Sequence, residues 1–69
     1  GGKLFADLQE TVEALRAVKS ADARKALVLS ATGYTYAEIG HRLGKSEKAV
    51  ERMVDYARRQ VHKAERGIA

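Results

Sequence analysis

The chain has 69 residues, enough for one small domain whose core yields only a few kcal/mol net unless something staples it. It contains no cysteine, which excludes disulfides and thiolate metal sites, and no run approaches the roughly 20 apolar residues of a membrane span. The formal charge is +4 and unevenly placed: residues 1–34 carry five Lys/Arg against four Asp/Glu, residues 35–69 eight against five. A basic half joined to a near-neutral half points to a polyanion partner, usually nucleic acid. On charge alone, a solubilising surface would serve as well.

No secretory signal pattern opens the chain, so a cytoplasmic location without membrane contact is expected. Gly1-Gly2 and the missing initiator Met read as a protease scar or the excision of a domain. Those two residues are set aside, the domain is taken as residues 3–66, and further domains of a larger chain are expected to flank it.

Four helices and no strand are expected, with no proline to force a break. The first, over about residues 4–19, carries Leu4, Phe5, Leu8, Val12, Leu15 and Val18 at helical steps. Ser20 and Asp22 mark the start of the second, over about residues 21–32, with Asp22 near the positive helix end. Its run Ala26-Leu27-Val28-Leu29 implies a central helix contacted on several sides, and Gly33 ends it.

The third helix, residues 36–43, opens with a capping box, Thr35 and Glu38, and a possible hydrophobic staple, Tyr34 with Ile39. Ile39 and Leu43 share a face, and Gly44 is placed to end the helix in the left-handed conformation. Ser46 caps the fourth helix, residues 47–63, where Val50, Met53, Ala57 and Val61 face the core. The tail Ala64 to Ala69 is expected to fray. The fold class is therefore all-α: a four-helix domain with a C-terminal helix-turn-helix, the arrangement of a major-groove DNA reader.

In such a reader the first turns of the last helix reach base edges. Those residues are Glu47, Lys48, Glu51 and Arg52. Lys48 and Arg52 suit guanine O6 and N7, and Glu47 or Glu51 suits the cytosine N4 amino group. An unmatched carboxylate is repelled by phosphate and disfavours wrong docking. Phosphate contacts are expected from Arg42, Lys45, Ser46, Arg58, Arg59 and Lys63, with the helix N-terminal amides as a further anion site. Lys48, Arg52 and Arg59 form a basic ridge beside an acidic one, Glu47, Glu51 and Asp55. The same charges would also make surface pairs, Lys48 with Glu51 and Asp55 with Arg59.

Tyr34, Tyr36 and Tyr56 fit core-edge packing with the hydroxyl outward better than base stacking. His41 and His62 lie far apart with no ligand motif, so no metal or cofactor is expected. No nucleophile–base pair, phosphate loop or carboxylate dyad appears, so no enzymatic activity is expected.

These residues resemble region 4 of bacterial sigma factors. The resemblance runs through Arg24-Lys25-Ala26-Leu27-Val28-Leu29, then Gly33-Tyr34-Thr35-Tyr36-Ala37-Glu38-Ile39-Gly40, Leu43-Gly44-Lys45-Ser46, and Ala57-Arg58-Arg59-Gln60-Val61. The family pattern is an Arg/Leu-rich helix, Gly-Leu-Ser/Thr-x-x-Glu-Ile-Ala/Gly, Leu-Gly-Val-Ser, then a recognition helix ending Ala-Arg-Arg-x-Leu. The resemblance implies binding to the promoter −35 element and docking on RNA polymerase. The stretch Ser46-Glu47-Lys48-Ala49-Val50 is also similar to the Ser-Glu-Lys-Thr-Val of LuxR-type response regulators. A phage or plasmid DNA-binding protein, such as a small terminase subunit, uses the same module. From another class, a protein-interaction module that kept the fold and lost DNA binding would explain the acidic ridge.

Overall fold

The computed structural model describes residues 13–68 and is all-α, with no strand among the described residues. Residues 13–15 are the end of a helix. The chain leaves it through tightened bonds, the amides of Arg16, Ala17 and Val18 donating to the carbonyls of Glu13, Ala14 and Leu15 at 3.0 to 3.1 Å. The first expected helix thus stops at residue 15, short of Lys19. Arg24 holds the turn that follows, its Nη1 donating to the Val18 carbonyl at 2.8 Å. The rest of that helix's expected stripe, Leu4, Phe5, Leu8 and Val12, lies outside the described residues.

Helix α1 spans Ala21–Ala31. Ser20 is its N-cap, accepting from the Ala23 amide at 3.2 Å, and Asp22 sits in the first turn against the helix dipole. At the other end the Gly33 amide donates to Ser30 at 3.2 Å and the Tyr34 amide to Leu29 at 3.1 Å. That pair of bonds is a Schellman motif, and it requires the φ of +107° that Gly33 adopts.

α1 packs on α3 and on α2, and part of its apolar run still faces outward. Ala23 and Ala26 are buried, Leu27 and Leu29 are half-buried, and Val28 is 45% exposed. Four consecutive helical residues step by about 100° each, so an unbroken apolar run cannot all face one neighbour.

Helix α2 spans Tyr36–Leu43 and helix α3 spans Glu47–Ile68. α3 continues through the tail that was expected to fray. Ala, Glu and Arg at 64–66 are good helix formers, and half-buried Ala64 prolongs the apolar stripe from Val61.

Both α1 and α2 pack on α3, and less on each other. One core cluster joins Ala26 with Ile39, Val50 and Val54, and Leu27, Leu29, Tyr34, Tyr36, Leu43 and Met53 pack around it. The second joins Val18, Ala23 and Ala57, with Val61 against it. Ile39, Val18, Val50 and Val54 are the largest fully buried side chains, each stabilising by about 1.5–3 kcal/mol. Val54 extends the stripe read from the sequence, one turn after Val50.

Candidate nucleic-acid interface

The joint between α2 and α3 sets the direction of the second helix. It begins with the capping box: the Glu38 amide donates to Thr35 Oγ1 at 3.1 Å, and the Thr35 amide donates to Glu38 Oε1 at 2.9 Å. Hydrogen bonding from the Thr35 backbone, and after it from the Thr35 side chain, holds the Glu38 carboxyl below its ordinary pKa, and the charge of Arg42 acts in the same direction. Arg42 in turn lies over the Tyr34 ring, its guanidinium carbon 4.6 Å from the centroid.

α2 stops at Gly44, in the left-handed conformation at φ +67°. The Gly44 and Lys45 amides both turn back to the Gly40 carbonyl, the latter at 2.8 Å. Gly40 is therefore the pivot of the turn, and it is buried. A Cβ built on it would lie 2.5 Å from the Lys45 carbonyl oxygen. Ser46 then caps α3, its Oγ accepting from the Ala49 amide at 3.1 Å.

All ten residues expected at a DNA interface are exposed: Arg42, Lys45, Ser46, Glu47, Lys48, Glu51, Arg52, Arg58, Arg59 and Lys63. At 100° per residue, Lys48, Arg52, Arg59 and Lys63 fall within roughly 60° of arc on the side of α3 away from Val50, Val54 and Ala57. Arg66, which the expected fraying had set aside, joins them because α3 runs on past it. Glu47, Glu51 and Asp55 lie on the neighbouring side, and Arg58 falls on their side of the helix and off the basic ridge.

Among the described residues, the ion pair within 4 Å is Lys48 Nζ with Glu51 Oε2, at 3.7 Å, both side chains well exposed. Arg59 does not pair with the Asp55 carboxylate; its Nε reaches the Asp55 backbone carbonyl at 3.4 Å. Among the described residues Arg52 has no such partner. Tyr34 and Tyr36 are half-buried at the core edge, but Tyr56 is 40% exposed and is open to solvent more than expected.

Among the described residues no three His, Cys, Asp or Glu side chains group to hold a metal ion, and no helix is long and apolar enough to cross a membrane. Neither a curated protein nor a solved structure gives a significant match to the chain. The ECF sigma factor family does match, over residues 2–67. Of the two families the sequence resembles, the match is to the first, and it covers both the helix-turn-helix joint and the whole of the exposed charged face. The chain belongs to the ECF sigma factor family, as its region 4-like helix-turn-helix part.

Proposed function

We propose that this domain recognises promoter DNA at the −35 element, with the first turns of α3 in the major groove, and docks on RNA polymerase as part of a larger bacterial, cytoplasmic sigma chain. The observation that carries this reading is the family match laid over a capped, glycine-turned helix pair whose second helix presents Lys48, Glu51 and Arg52 at its exposed N-terminal end.

The lengths of ridge and groove support a division of labour. From Lys48 to Arg66 the basic ridge extends roughly 27 Å at 1.5 Å per residue. The major groove is about 12 Å wide. Glu47, Lys48, Glu51 and Arg52 therefore reach base edges, while Arg59, Lys63 and Arg66 run out across the backbone. Arg42, Lys45 and Ser46 meet phosphate from the α2 side, and Arg58 meets it from the acidic side. The role is binding, with no bond made or broken.

The exposed carboxylates Glu47, Glu51 and Asp55 favour a second reading, an interaction module that binds protein instead of DNA. Fluorescence anisotropy with labelled duplexes at two salt concentrations separates the two. Binding that weakens with salt supports the promoter reading. Failure to bind any duplex at low salt supports the interaction module.

A further inference from the structure

We infer that Lys48 and Glu51 act as one reading head for a single G·C base pair, an inference that rests on the DNA-binding reading above. The two side chains are on successive turns of the exposed face of α3, with Nζ and Oε2 3.7 Å apart. They present a cationic donor beside an anionic acceptor. In the major groove a G·C pair presents the reverse row: guanine N7 and O6 as acceptors, then the cytosine N4 amino group as donor. O6 and N4 are hydrogen-bonded to each other, so they lie about 3 Å apart. The spacing of the protein pair is close to that of the base-pair edge.

The bonding capacity closes as well. The Lys48 ammonium has three N–H donors, enough to offer one each to O6 and N7 while its charge stays beside Glu51. The Glu51 carboxylate has about four lone-pair sites, enough for Lys48 and cytosine N4 together. An A·T pair fits less well. Its amino group stands between two single acceptors, so the ammonium finds one acceptor where G·C gives two adjacent ones, and the thymine methyl crowds the far side.

The pair also sets the sign of each contribution. Facing a G·C edge, Glu51 gains a donor. On an edge that places its amino group out of Glu51's reach, the carboxylate faces phosphate unrelieved, and the complex weakens. Glu51 thus discriminates by favouring one edge and by penalising the rest.

The test uses the 69-residue chain, a preferred duplex selected from a randomised pool, all single base-pair replacements of that duplex, and an unselected duplex. The variants are Glu51→Gln and Lys48→Met, both at exposed positions, with circular dichroism confirming the fold. The preferred duplex is expected to contain a G·C pair whose replacement by A·T weakens wild-type binding roughly tenfold. Both variants should lose their preference at that same base-pair position. Glu51→Gln should also bind the unselected duplex several-fold more tightly than wild type while binding the preferred one more weakly. Loss of preference at two different positions overturns the single reading head. So does a Glu51→Gln variant that binds every duplex more tightly by the same factor, which makes Glu51 a general electrostatic brake. If wild type binds no duplex even at low salt, the promoter reading falls, and this inference with it.

Discussion

Gly40→Ala places two effects in opposition, and the structure decides between them. In an exposed helix, alanine for glycine stabilises by about 1 kcal/mol. Gly40 is inside α2, and on propensity alone the change should raise the melting temperature. The position is not exposed. The new Cβ would sit 2.5 Å from the Lys45 carbonyl oxygen, with the Lys45 and Ser46 carbonyl carbons each 3.5 Å away. These are backbone atoms and cannot swing aside as a side-chain end would. Relief requires the turn to open, which strains the Lys45 amide bond to the Gly40 carbonyl and moves α3 away from α2. Overpacking of this kind costs about 1–3 kcal/mol, and the lost hydrogen bond adds about 1 kcal/mol. The net expectation is a destabilisation of about 1–3 kcal/mol, equivalent to a fall of roughly 4–8 °C in melting temperature per kcal/mol. The family pattern admits Ala or Gly here, and the 2.5 Å approach makes glycine the residue that this turn requires. Thermal unfolding by circular dichroism reads the outcome. A melting temperature equal to or above that of wild type would refute the close approach of Gly40 to the turn.

Gly44→Val should destabilise by more than about 1 kcal/mol in urea unfolding, through backbone strain alone, because φ is +67° but no atom lies within 4 Å of the added Cβ. Gly44→Asn, which tolerates the left-handed region, should recover part of that loss. Glu38 has a lowered folded-state pKa, so its contribution to stability is present above the unfolded carboxylate pKa and is lost as pH falls through the lowered value. The stability gap between wild type and Glu38→Gln, followed by urea midpoint from neutral pH downward, should therefore shrink with acidification; a constant gap contradicts the capping-box assignment. Arg52→Ala should cost about 1–3 kcal/mol on the preferred duplex and relax preference at one base position. Equal losses on preferred and random duplexes would make Arg52 a phosphate contact.

The helix-turn-helix joint was legible because its signals are local. Thr35 with Glu38, Gly44 and Ser46 each satisfy backbone groups within four residues, so the sequence spacing is the geometry. The bounds of α2 follow directly, from Tyr36 to Leu43. What depended on other parts of the chain was harder to read. Val28 looks like core in an apolar run, and its exposure is settled only by where α3 lies. Val54 could have been found from its one-turn step after Val50. α3 runs past its expected end because Ala, Glu and Arg at 64–66 are good helix formers and Ala64 is half-buried, and the burial cannot be read from the charged tail. Gly40 appeared as an ordinary mid-helix glycine, since nothing in the sequence says that the Lys45 carbonyl returns to it.

For the charged face, sequence supplied the residues, their exposure and one of the two expected ion pairs. Lys48 pairs with Glu51 as an i, i+3 step allows, whereas Arg59 turns to a backbone carbonyl and leaves Asp55 without its expected cation. Side-chain choices among several nearby charges are decided by small differences, about 0.2–1 kcal/mol at an exposed site. The stack of Arg42 on Tyr34 joins residues on either side of a helix start, and sequence spacing carries no signal for it.

The central claim is that the exposed face of α3 and its neighbours bind duplex DNA through phosphate contacts beneath any base readout. Its most direct test is the slope of log K against log salt concentration for a duplex, measured by anisotropy with wild type and with Arg58→Ala/Arg59→Ala. If roughly three to five of Arg42, Lys45, Lys48, Arg52, Arg58, Arg59 and Lys63 reach phosphate, the slope should be about −3 to −5. The double variant should flatten it and weaken all sequences alike, since phosphate contacts carry no sequence information. A slope near zero, or no binding to any duplex at low salt, would contradict the claim and leave Glu47, Glu51 and Asp55 as the face of a protein-interaction module.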